Sequence, residues 1–110
     1  MSTSSGFLRG VLETSGLFHE FYSFRGIPYA SPPIGDLRFR NPKAFEPWEG
    51  VRDAERHGNH CPNEGIGGIG AGGDEDCLFL NIYTPDLKGN LSTLFWIHGG
   101  AFVVNKELKL

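Results

Sequence analysis

No run of the roughly 18 apolar residues needed to cross a bilayer occurs in these 110 residues, which excludes a transmembrane helix. The opening Met1-Ser-Thr-Ser-Ser-Gly-Phe-Leu-Arg9 also lacks the basic start and apolar stretch of a secretory leader. The chain is therefore expected in the cytoplasm as written, with secretion open if sequence precedes Met1. A basic excess is missing too: 10 Lys and Arg against 13 Asp and Glu give a net charge of -3, so nucleic-acid binding has no electrostatic support. Cysteine is scarce. Cys61 and Cys77 form no C-x-x-C pair, and His19, His57, His60 and His98 form no H-E-x-x-H pair, so no metal is expected. Long helix is disfavoured by 16 glycines and 7 prolines, which point to strands and turns.

What is present suffices for a core, since 39% of the residues are hydrophobic. Residues 7 to 30 alternate apolar and polar side chains around Gly10, Ser15-Gly16 and Gly26. They read as a separate small antiparallel β element, with a turn at Gly16 and Tyr22, Phe24 and Ile27 facing inward. Pro32, Pro33, Pro42 and Pro47 forbid a regular helix or central strand between Ser31 and Trp48, leaving an extended surface connection. Six glycines between Gly65 and Gly73 predict an irregular loop. Residues 76 to 84 and 93 to 98 read as neighbouring antiparallel strands separated by the Gly89-Asn90 turn signal; both are apolar on two faces and call for cover on both.

Several patterns invite a chemical reading, and most fail on context. Residues 65 to 70 satisfy G-x-G-x-x-G, but no strand precedes them, no helix follows, and Asp74-Glu75-Asp76 would repel a phosphate, so no cofactor is expected. The same three acids do not distribute ligands over a twelve-residue calcium loop. From the residues alone, Cys61 and Cys77 are either bonded, closing a loop worth about 3 kcal/mol in the chain-entropy model, or two reduced thiols, which composition and a cytosolic setting favour. His98-Gly99-Gly100-Ala101-Phe102 stands apart. A strand that ends in a glycine turn can aim backbone N–H groups at the negative charge that develops on a carbonyl oxygen in acyl transfer.

Five ordered segments carry a resemblance: Phe24-Arg-Gly-Ile-Pro-Tyr-Ala30, Pro32-Pro-Ile-Gly-Asp-Leu-Arg-Phe39, Pro47-Trp-Glu-Gly-Val-Arg-Asp-Ala54, Glu75-Asp-Cys-Leu-Phe-Leu-Asn-Ile-Tyr-Thr-Pro85 and Trp96-Ile-His-Gly-Gly-Ala-Phe102. Over residues 10 to 102 the chain resembles the amino-terminal part of the type-B carboxylesterase family, the carboxylesterase and cholinesterase-like branch of the α/β-hydrolases. Residues 103 to 110 leave the pattern. The resemblance implies the first portion of an α/β-hydrolase fold, mostly strands and loops with little helix.

For particular residues the resemblance implies a disulfide between Cys61 and Cys77 and a buried structural salt bridge between Arg38 and Glu75, expected as a two-pronged contact. It also implies oxyanion-hole amides at Gly100 and Ala101, with Gly99 making the turn; many members have a third glycine where Ala101 stands, and alanine keeps the N–H. The substrate implied is a small-molecule carboxylic ester, cleaved by an activated serine through an acyl-enzyme. None of the family's catalytic triad is present: there is no G-x-S-x-G, and the acid and histidine that follow it are missing. The 110-residue chain alone is thus expected to be inactive and poorly soluble. The alternative is a cholinesterase-like adhesion or interaction protein that keeps the fold without a working triad. Gly65 to Gly73 holds no aromatic ring for a quaternary ammonium, so choline esters are not supported.

Overall fold

The computed structural model describes residues 1–65 and 71–100. Two three-stranded sheets carry the architecture. The first has the order β1 (Ser2–Thr3), β2 (Gly6–Arg9), β5 (Val51–Asp53), with β1 antiparallel and β5 parallel to β2. The second has the order β3 (Val11–Thr14), β4 (Glu20–Pro28), β6 (Phe79–Thr84), all antiparallel. One 3-10 turn, Gly35–Leu37, is the only helical element among the described residues.

The β3–β4 hairpin follows from alternation and from its turn, where Phe18 N–H donates to Ser15 O at 2.8 Å and Ser15 N–H to His19 O at 2.9 Å. Along β3 the half-buried positions are Val11 and Glu13, which places a carboxylate on the covered face. It is answered there: fully buried Ser23 donates its hydroxyl to Glu13 Oε1 at 2.6 Å, and Arg25 pairs with the same oxygen. Between Phe24 and Ile27 the β4–β6 register shifts, and Gly26 takes φ 66° inside this bulge. A Cβ at Gly26 would lie 2.6 Å from the Arg56 carbonyl oxygen, so the bulge excludes any side chain as well as favouring a left-handed backbone. Its N–H is not orphaned; it donates to Asn81 Oδ1 of β6 at 3.0 Å.

The proline-rich connection wraps as an extended strap. Ser31 N–H donates to Lys43 O at 2.8 Å, and at the far end Trp48 donates from its backbone to Ser5 O and from its indole to Phe7 O, both at 2.9 Å. This returns the chain alongside β2, where β5 pairs in parallel and Arg9 Nε donates to Asp53 Oδ1 at 2.6 Å. Leu8 of the first sheet is buried in one cluster with Phe24 and Ile27 of the second and with Ala54, and Met1, Tyr22, Trp48, Leu80 and Ile82 pack against them.

Three expectations are corrected. Residues 7 to 30 are not a separate β element, because β4 pairs with β6 and β2 with β5. The strand expected over 76 to 84 enters its ladder only at Phe79. Residues 93 to 98 form no strand: Leu94, Phe95, Trp96 and Ile97 are 74% to 89% exposed, and the strand expected beside them pairs with β4 instead. The physical reason is that an apolar run becomes a strand only where another edge satisfies its backbone groups, and no described strand pairs with it.

Candidate functional site

Three features converge near the start of β6. The first is the loop from Cys61 to Cys77, closed by a disulfide with Cα atoms 4.9 Å apart; both cysteines are bonded, in contrast to the reduced thiols that composition favoured. Below the disulfide the two arms of the loop clasp each other. Asn63 and Gly72 exchange backbone hydrogen bonds at 2.8 and 3.0 Å, Asp74 N–H donates to His60 O at 3.0 Å, and Asn59 Nδ2 donates to Asp76 O at 3.2 Å. Gly73 permits this closeness: its φ is 117°, and a Cβ there would stand 2.5 Å from the Cys61 carbonyl oxygen. Residues 66 to 70, most of the G-x-G-x-x-G stretch, lie outside the described residues.

The second feature ties the strap to this loop. Arg38 Nε lies 2.6 Å from Glu75 Oε1, and the guanidinium sits 5.4 Å from the centroid of the Phe39 ring. Arg38 and Glu75 side chains are 52% and 43% exposed, so the pair is half in water and not buried. Pro33, Arg38, Phe39, Pro62, Glu75 and Cys77 enclose a shallow depression of about 200 Å³ against it. Phe39 is 97% exposed with φ 56°, a backbone conformation that non-glycine residues adopt infrequently.

The third feature is the turn at His98. His98, Tyr29, Asn81 and the two cysteines border a second hollow of about 120 Å³, so the residue before the glycine pair faces the disulfide and the bulge-anchoring asparagine. His98 Nδ1 lies 2.8 Å from the Gly99 carbonyl oxygen, a contact in which an Nδ1–H donates. Gly99 stands in open space, and Gly100 has φ 131°, a conformation reserved for glycine. Ala101 lies outside the described residues. A glycine at this φ can turn its N–H out of the line of the preceding backbone. No group of His, Cys, Asp and Glu able to hold a metal ion occurs among the described residues, and no described helix is long and apolar enough to cross a membrane.

Two features escaped sequence reasoning. One is the Glu13–Ser23–Arg25 cluster; the signal for it was an acid at an inward position of an alternating strand. The other is the Gly26–Asn81 link, for which an isolated glycine inside a strand pattern was the available hint.

The profile described as the Carboxylesterase family matches residues 1–109. The chain is 46% identical over 110 residues to phenmedipham hydrolase of Pseudarthrobacter oxydans, an alignment covering 92% of this chain and 21% of that protein. It is 38% identical over 110 residues to a carboxylic ester hydrolase of Bombus ignitus, covering 93% of this chain and 20% of that protein. It is 37% identical over 108 residues to para-nitrobenzyl esterase of Bacillus subtilis (strain 168), covering 93% and 21%. The chain thus spans about a fifth of the length of these relatives. The family implies an α/β-hydrolase fold, of which the described residues form a strand-rich part. On the matched profile and on these identities, the chain belongs to the carboxylesterase family.

Proposed function

We propose that these residues form the amino-terminal part of a serine esterase acting on carboxylic esters, and that their direct contribution to catalysis is part of an oxyanion hole. The observation that carries this reading is the His98-Gly99-Gly100 turn, with Gly100 in a glycine-only conformation beside the hollow at the disulfide. In the proposed reaction an activated serine attacks the ester carbonyl, the alcohol leaves, and water hydrolyses the acyl-enzyme. Negative charge passes onto the carbonyl oxygen in both steps. Backbone N–H groups of Gly100 and Ala101 donate to it there, and one such donor is worth about 2.7–4 kcal/mol of barrier. Neither donor titrates or needs to reorganise.

The serine, its acid and its histidine must come from sequence outside these 110 residues, which contain no G-x-S-x-G. The experiment is to treat the full-length protein with p-nitrophenyl butyrate and, separately, with a fluorophosphonate that phosphonylates activated serines. A stoichiometric burst of p-nitrophenol and a single labelled serine are expected. A full-length protein that gives neither is the non-catalytic interaction protein of the same family.

A further inference from the structure

We propose that Asn90 is an acceptor site for N-linked oligosaccharide. Among the asparagines of the chain, only Asn90, followed by Leu91 and Ser92, satisfies the N-x-S/T pattern with a residue other than proline in the middle. Residues 85 to 93 are all exposed, a polar stretch between β6 and the apolar segment that starts at Leu94. The turn ahead of the acceptor is built without it: Thr84 Oγ1 donates to Asp86 O and Lys88 N–H donates to Asp86 Oδ1, both at 2.8 Å. Asn59, Asn63 and Asn81 are spent on the loop neck and the bulge. No hydrogen bond among the described residues engages the Asn90 amide, which faces solvent.

The second observation is independent of the tripeptide. The Cys61–Cys77 disulfide, with no described cysteine left free, belongs to an oxidising compartment. In the oxidising lumen of the secretory pathway, oligosaccharide is also transferred to asparagine. The two features therefore point to one history for the chain, and both oppose a cytoplasmic location. In the transfer, Asn90 Nδ2 bonds to C1 of the first sugar of a lipid-pyrophosphate-linked oligosaccharide. The C1–O bond to the pyrophosphate breaks, the lipid pyrophosphate leaves, and the displaced amide proton goes to the transferring enzyme. The glycan would stand over exposed Leu87 and Leu91 and shield them from other chains.

The test uses the full-length protein isolated from its own cells, digested with peptide-N-glycosidase in heavy-oxygen water and then with trypsin. The expected peptide carries heavy-oxygen aspartate at position 90; the same peptide with asparagine at 90, whether or not the glycosidase was added, overturns the proposal. In secretory-pathway expression, Ser92→Ala is expected to reduce the glycosidase-sensitive mobility shift by one glycan and Ser92→Thr to keep it whole. A wild-type protein without that shift, or a shift that Ser92→Ala leaves unchanged, is equally contradictory.

Discussion

Gly26 and Glu13 carry more of the local structure than their size or exposure suggests. Gly26→Ala forces a Cβ against the Arg56 carbonyl at φ 66°, so the full-length protein should lose on the order of 1–3 kcal/mol, read as a lowered urea midpoint. Glu13→Ala removes the oxygen that serves both Ser23 and Arg25, whose side chain is only 19% exposed. Hydrogen bonds to charged groups contribute about 1.5–3 kcal/mol, and a loss near 2 kcal/mol is expected in the same titration. Arg38→Ala belongs at the other end of the scale. The pair with Glu75 is half-exposed, so its removal should shift stability by less than about 1 kcal/mol. A burial-driven loss of several kcal/mol at Arg38 would mean that the rest of the protein covers this contact.

At the scale of elements, the disulfide loop and the strap are held by different physics. Reducing Cys61–Cys77 frees a loop whose cysteines are 16 positions apart, and the chain-entropy model puts the loss at about 3 kcal/mol. Thermal melts of the full-length protein with and without reductant check this, and an unchanged melting temperature would contradict it. Much of this layer was legible from residues alone: four prolines announced the strap and Ser15-Gly16 the hairpin turn. Other parts were not. The partner of β6 is β4, more than fifty positions away, and composition holds no record of so distant a pairing. Leu94 to Ile97 has every local mark of a strand yet joins no ladder, because strand formation is decided by a neighbouring edge. Whether two cysteines bond depends on a spatial approach that the sequence left open and the clasped loop neck supplies.

For the molecule as a whole, the balance of burial is unusual for an independent domain. Among the described residues the buried apolar set is Leu8, Phe24, Ile27, Ala30 and Ala54, while Phe18, Phe39, Leu94 and Trp96 are each at least 80% exposed. Such a surface calls for cover by further chain. The 110-residue polypeptide purified alone should accordingly self-associate, through the apolar Leu94–Ile97 segment and unpaired sheet edges, and should not hydrolyse p-nitrophenyl butyrate. Analytical ultracentrifugation and the ester assay read the two halves separately; a monodisperse, active monomer would contradict both.

The central claim is that the turn after His98 supplies oxyanion donors, and a crystal structure of the full-length protein with a phosphonate covalently bound to its nucleophile measures it directly. The amide nitrogens of Gly100 and Ala101 are expected at about 2.7–3.1 Å from the phosphonyl oxygen. A bound phosphonate whose oxygen is held by other donors, with the Gly100 and Ala101 amides turned away from it, would rule out an oxyanion role for this turn.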